Sequence, residues 1–241
     1  MQAAEEQDKV VRFYDQFAEK QEKTGINSRH LSILDKVKQA GLQAQHRILE
    51  VGCGIGTVSH LLATQVPQGE VLAVDISPES IEKARVLWKK QGNLKFDVSD
   101  MSDFNLPGKT FDFFVFPDVL EHIPVAQHAL LFKNIQAHAH PDSVLVVHIP
   151  APRYLEWMIA NQPEKLQVID QPLDTGVLVK TLGAAGFYLE KMETYSLFFE
   201  EKDYQYFVFR STKKLQQSTA KSKWQVLKER ILIRLKFGIS S

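Results

Sequence analysis

The stretch from Arg47 to Ser59, Arg-Ile-Leu-Glu-Val-Gly-Cys-Gly-Ile-Gly-Thr-Val-Ser, constrains this chain more than any other. Ile48, Leu49 and Val51 form the short apolar run of a strand buried on both faces. Gly52, Gly54 and Gly56 then allow a sharp turn and a close approach of backbone to a ligand. After Thr57 the pattern becomes helical, which aims unpaired N-terminal amides over the turn. Strand, glycine turn and helix in this order open a parallel α/β sheet and hold a nucleotide-like ligand at its C-terminal edge.

Spacing narrows the ligand. A dinucleotide turn, G-x-G-x-x-G, needs its third glycine at position 57; Thr57 stands there, and the glycine falls one residue early. A phosphate-binding P-loop needs Lys-Ser or Lys-Thr after its glycines, and neither is present. Glu50 precedes the turn; a carboxylate there repels phosphate and accepts from an amine. A turn with no nucleotide is the plainer alternative at this point. Val71-Leu72-Ala73-Val74-Asp75 reads as a second strand ending in a carboxylate 23 positions after Gly52, the spacing at which an acidic residue meets ribose hydroxyls. Ionised Asp is acceptor-only and suits a cis-diol, in nicotinamide enzymes as much as elsewhere. Ser77-Pro78 caps and starts the next helix. A third strand, residues 94–98, runs into Asp100-Met101, and a fourth, residues 111–116, into Pro117-Asp118-Val119-Leu120-Glu121-His122-Ile123-Pro124.

Together these residues, E-x-G-x-G-x-G, Asp75, Asp100-Met101 and F-D-x-x-x-F followed by V-L-E-H-I, resemble the class I S-adenosylmethionine (SAM)-dependent methyltransferases of the small-molecule type, over about residues 45 to 150. The resemblance implies an α/β Rossmann-like three-layer sandwich. Its seven-stranded sheet would be mostly parallel, with an antiparallel last strand. The cofactor implied is SAM, with S-adenosyl-L-homocysteine as product. Glu50 would reach its methionine part, and the backbone of Gly52, Cys53, Gly54 and Gly56 would pack on it. Asp75, with Ile76 beside it, would take the ribose; Asp100 would accept from the adenine amine and Met101 would pack on the ring. Pro117 completes the cofactor-binding set.

Three regions are expected: an N-terminal helical cover (residues 1–44), a SAM-binding domain (45–212) and a basic tail (213–241). In the cover, helices over 4–21 and 27–40 put Tyr14, Arg29 and His30 forward as cofactor or substrate contacts, beside the plainer reading of a core aromatic and surface charges. The 151–172 stretch is too long for an ordinary strand-to-helix connection and sits where substrate enters, so it reads as a substrate lid with Arg153, Tyr154 and Trp157 as candidate contacts, beside the plainer reading that they simply pack the insert. Residues 211–241 carry eight Lys/Arg against one acidic residue, Glu229, and the remainder carries 21 basic against 28 acidic. The tail, 221–237, reads as a basic amphipathic helix able to lie on an anionic membrane surface. The acidic body and the absence of an amine-methylation N/D-P-P-Y/F motif argue against a nucleic-acid partner. One cysteine excludes an intrachain disulfide, and no run reaches the ~18 apolar residues of a membrane span. With no signal-peptide pattern at the N-terminus, a cytoplasmic protein, peripherally membrane-associated at most, is expected.

Methyl transfer to a hydroxyl needs a base, and an imidazole is the natural one at neutral pH. His122, just after the fourth strand, is the candidate, with Glu121 or Asp118 tuning it; capping the next helix is the plainer role. Asp118-x-x-Glu121-His122, with His148 as a fourth group, is also similar to the acidic-x-x-Glu-His cluster that holds a divalent metal in some ubiquinone-pathway and small-RNA O-methyltransferases. Metal-free relatives carry similar residues, so no metal is assigned and His148 is placed with the substrate contacts. The expected reaction is methylation of a small-molecule acceptor, at oxygen, with lipid, quinone and glycan acceptors in view. An RNA methyltransferase and a non-catalytic SAM-binding scaffold are the alternatives.

Overall fold

The computed structural model describes residues 22–212 and 219–238. Seven strands form one sheet in the order β3-β2-β1-β4-β5-β7-β6. They are β1 (Arg47–Val51), β2 (Glu70–Asp75), β3 (Leu94–Val98), β4 (Phe111–Pro117), β5 (Ala139–Pro150), β6 (Phe187–Tyr195) and β7 (Tyr204–Ser211). β1 to β5 pair in parallel, and β7 runs antiparallel to both β5 and β6. The helices, in chain order, are α1 (Ser28–Gln39), α2 (Thr57–Gln65), α3 (Pro78–Leu87), α4 (Val125–Ala137), α5 (Pro152–Asn161), α6 (Thr175–Ala184) and α7 (Lys223–Phe237).

Alternation on the strands builds a core on each face. On β4, Phe114 and Phe116 point to one side with Phe132, Ile135, Leu178 and Leu182 of α4 and α6. Phe113 and Val115 point to the other, with Ile33, Val37, Leu62 and Ile81 of α1, α2 and α3. This two-sided burial is why the central strands read as continuous apolar runs. The expectations for the first four strands hold to within a residue or two. Capping is local and legible: Ser77 Oγ accepts from Ser80 N at 3.0 Å, with Pro78 in the first helical turn.

The tail corrects one expectation. Ser222 caps α7, but its side chains are exposed on every face. At 100° per residue, Trp224, Leu227, Ile231 and Leu235 share one stripe while Val226, Ile233 and Phe237 fall opposite, so the apolar surface is divided rather than one-sided. Among the described residues no helix is long and apolar enough to cross a membrane.

Candidate functional site

The turn after β1 is pinned from below. Val74 O accepts from both Gly52 N (2.8 Å) and Cys53 N (3.0 Å). Gly52 has φ +78°, and an added Cβ there would collide with the Val119 side chain. Gly56, at φ +79°, starts α2 beneath Phe96, where a Cβ would lie 2.6 Å from the ring. Only glycine meets both demands, left-handed backbone and no side chain. Asp75 ends β2 and shapes the same loop: its carboxylate accepts from Gly54 N at 2.7 Å and Ser77 N at 2.9 Å.

Two adjoining cavities open at the C-terminal edge of β1, β2 and β4. The larger, about 680 Å³, is lined by Gly54, Asp75, Ile76, Asp100 and Met101, and further along by Val119, His122, Gln167 and Ile169. The smaller, about 120 Å³, contains Glu50, Cys53, Asn27 and His30. Arg29, Gly52, Pro117 and Asp118 belong to both. The predicted cofactor residues thus come together on one wall, with Gly56 beneath them as structural support. Met101 is buried at φ +66°, its carbonyl held by Asn134 Nδ2 at 2.7 Å. Asp100 lines the cavity while its side chain also holds Ser102 N (2.9 Å) and Oγ (2.6 Å).

Glu50 tests whether this wall fits SAM. It is fully buried, and neither carboxyl oxygen has a hydrogen-bond partner. Burial pushes its pKa up to about 8, with Ser59 opposing the rise and Asp75 adding to it. A buried carboxyl without a partner is costly. An ammonium entering the smaller cavity would satisfy it, and SAM carries one on its methionine part. The residues present therefore fit the group. Burial, then Asp75 and Glu50, push the Cys53 thiol up, away from the thiolate form.

The opposite wall departs from expectation. Asp118 has φ +54°, rare for a residue with a side chain, and lies before a short 3-10 turn (Leu120–His122). It therefore does not share a helical face with Glu121 and His122. Its carboxylate pairs with Arg29 Nη1 at 3.1 Å and His148 Nδ1 at 2.5 Å. Burial alone would raise the Asp118 pKa; His148 and Arg29 hold it below the usual carboxylate range. His148 lines neither cavity. It lies behind Asp118, its other ring nitrogen 2.6 Å from Tyr195 Oη, which in turn accepts from Ser32 Oγ at 2.8 Å. Among the described residues no group of three or more His, Cys, Asp or Glu side chains is placed to hold a metal ion.

His122 does line the larger cavity, but not as a neutral base. Its Nδ1 lies 2.6 Å from Ile169 O and 3.2 Å from Asp170 Oδ1, and its Nε2 lies 3.8 Å from Glu121 Oε1. Burial would lower the imidazole pKa, yet Glu121 and Asp170 override it and push it up to about 9. Burial also pushes Glu121 up to about 8. Held among Ile169 O, Asp170 and Glu121, the imidazole keeps its proton at neutral pH, so the expected base has no lone pair to offer.

The second half of the 151–172 stretch, not its first, reaches the cavity. Arg153 and Tyr154, on α5, do not line either cavity; the Tyr154 ring sits 5.0 Å from Phe199 and 6.3 Å from Trp157. Gln167 and Ile169 line the cavity instead, and Gln171 N donates to Glu121 O at 3.1 Å. Arg29 proves central rather than superficial, while His30 is turned into the helix cap, its Nδ1 accepting from Asn27 N at 3.2 Å. Burial and Arg29 lower its pKa to about 4. Tyr14 lies outside the described residues. Sequence reading missed Gln167, Asp170 and Tyr195; the long 151–172 insert was the only signal for the first two.

Comparison with known proteins agrees with this geometry. Residues 48–142 match the family model described as a methyltransferase domain. A malonyl-[acyl-carrier protein] O-methyltransferase of Ilyobacter polytropus is 32% identical over 99 residues, 41% of this chain and 34% of that protein. A trans-aconitate 2-methyltransferase of Methylobacterium radiotolerans is 28% identical over 153 residues, 61% of this chain and 56% of that protein. The chain thus spans only about a third to somewhat over half the length of these curated relatives. The crystal structure of magnesium protoporphyrin IX methyltransferase from Synechocystis, with bound S-adenosyl-L-homocysteine, superposes with a TM-score of 0.60 at 19% identity, covering 85% of this chain and 86% of that one. Fold, glycine turn and domain match converge: residues 48–142 match a methyltransferase domain, on the Rossmann-like fold shared with SAM-dependent methyltransferases.

Proposed function

We propose that this protein transfers the methyl group of SAM to an oxygen atom of a small-molecule acceptor. The observation that carries the reading is Glu50, a buried carboxyl without a partner in the smaller cavity, beside the wall formed by Asp75, Ile76, Asp100 and Met101. When bound, SAM supplies an electrophilic methyl group on a sulfonium. The chain's own residues supply position. Glu50 accepts from the ammonium, Asp75 from the ribose diol and Asp100 from the adenine amine, while Met101 packs on the ring. Held in this way, SAM would leave the part of the larger cavity bounded by Asp118 and His122 for the acceptor. Gln167 and Ile169 line that part, where exclusion of water would favour an in-line attack. The printed name of one relative, an O-methyltransferase, supports oxygen as the acceptor atom. Incubation with methyl-labelled SAM and the host's small-molecule extract should move label into a low-molecular-weight product. Label appearing only in RNA, or SAM binding with no transfer, would contradict the reading.

We further infer that α7 makes peripheral contact with an anionic lipid surface. It carries Lys223, Lys228, Arg230, Arg234 and Lys236 against Glu229, with Trp224 near one end and Phe237 at the other, both well exposed. Basic flanks and terminal aromatics suit the interfacial layer, where Lys and Arg stems reach past apolar side chains to headgroups. The full chain should sediment with phosphatidylserine-containing vesicles at low salt and not with phosphatidylcholine alone. Equal recovery without vesicles, or equal binding to both, would overturn the contact.

A further inference from the structure

Resting on the methyl-transfer reading, we propose that the acceptor is a carboxylate, an oxygen nucleophile already anionic at neutral pH, and that His122 is its cationic docking group rather than a base. The geometry excludes a ready proton acceptor on the acceptor side. His122 Nδ1 is committed to Ile169 O at 2.6 Å and Asp170 at 3.2 Å, and its Nε2 side faces Glu121 at 3.8 Å. An imidazole set between two carboxyl groups and a carbonyl is built to carry a positive charge. Asp118, which lines the same part of the cavity, already binds Arg29 and His148. Asp75 and Asp100 hold backbone amides on the cofactor wall.

A hydroxyl acceptor would have to lose a proton to one of these groups. A carboxylate has none to lose. Its oxygen forms the new O–C bond as the C–S bond of the sulfonium breaks, the electron pair staying on sulfur. The products are a methyl ester and a neutral thioether, with no proton released. Before transfer, the anionic oxygen is attracted by the His122 imidazolium, a charge-assisted contact. Gln167 Oε1, buried in the same wall without a hydrogen-bond partner, can accept from a hydroxyl or amide elsewhere on the acceptor.

The charged groups facing His122 are Asp170 from the 166–174 loop, Glu121 from its own turn and Asp118 at longer range from the end of β4. Because Glu121 and Asp170 push His122 up to about 9, docking weakens only as pH rises past that value. A base would behave with the opposite sign, gaining activity as pH rises.

The full-length protein, saturated with methyl-tritiated SAM, is incubated with host small-molecule extract, and the product is treated with mild alkali. A methyl ester releases volatile labelled methanol; methyl ethers and methylamines do not. Release of most of the label is expected, and alkali-stable label overturns the carboxylate assignment while leaving methyl transfer standing. No transfer at all, with SAM bound, overturns the methyl-transfer reading and this proposal with it. With the purified acceptor, the rate should be level from pH 6 to 8 and fall roughly tenfold per unit above about 9. His122→Gln should raise the acceptor KM about tenfold or more and leave SAM affinity unchanged. A rate that climbs through neutral pH, or a variant losing kcat with KM intact, would overturn the docking role.

Discussion

A single buried carboxyl, Glu50, links sequence, stability and ligand here. Its pKa is raised to about 8 in the folded chain, so the proton it holds at neutral pH must leave when an ammonium docks. SAM affinity is therefore expected to rise with pH up to about 8 and then level. The sign for stability is opposite. A carboxyl whose folded pKa lies above its unfolded value stabilises the fold at low pH, and that contribution is lost as pH rises through the folded pKa. Glu50→Gln should consequently raise the thermal midpoint of the ligand-free protein at pH 9 while weakening SAM by about tenfold or more. Lower stability at pH 9 would contradict the assignment. Asp170→Asn removes one of the two carboxylates that raise His122, so the alkaline fall in activity should move to lower pH. An unmoved limb in the pH profile would disprove that coupling. Glu50 and Asp75 were legible because their spacing from the glycines is local. Asp170 was not, because it meets His122 across 48 positions of chain, a contact that only the folded insert creates.

Among the elements, the β1–turn–α2 unit is the most fully written in the sequence. Each of its features is settled within about a dozen residues: apolar strand, glycine turn, helix start. Gly52→Ala tests it, since φ +78° and the Val119 side chain both oppose a Cβ. A loss of about 1–3 kcal/mol in unfolding free energy with SAM binding abolished is expected; unaltered SAM affinity would count against the turn as cofactor cradle. The segment after β4 was misread because i, i+3, i+4 spacing assumes a helix, and Asp118 at φ +54° breaks that geometry. Its partner chain, His148–Tyr195–Ser32, joins the ends of β5 and β6 to α1 and leaves no periodic trace. Tyr195→Phe should cost about 1–2 kcal/mol by leaving a buried His148 nitrogen without its partner, read by denaturant unfolding; a neutral effect would argue that the chain is not formed.

For the molecule as a whole, a mostly parallel sheet with an antiparallel last strand was legible through the family resemblance of the glycine-turn segment, whereas the strand order was not, because lateral pairing leaves no local pattern. The division of charge was readable too, 21 basic against 28 acidic residues outside 211–241 and eight against one within it. What covers α7 was not, because its apolar side chains fall on two faces and its periodicity names no single partner. Replacing Arg230 and Arg234 by Glu should abolish vesicle sedimentation and leave SAM binding intact, since neither residue lines the cavities. The central claim, that the cleft above β1 and β2 is a SAM site organised by Glu50, is tested most directly by calorimetric titration at pH 7 in two buffers of different ionisation enthalpy. Saturable SAM binding with close to one proton released, and no release from Glu50→Gln, is the predicted result. No binding, or binding with the same proton count in both proteins, would contradict it.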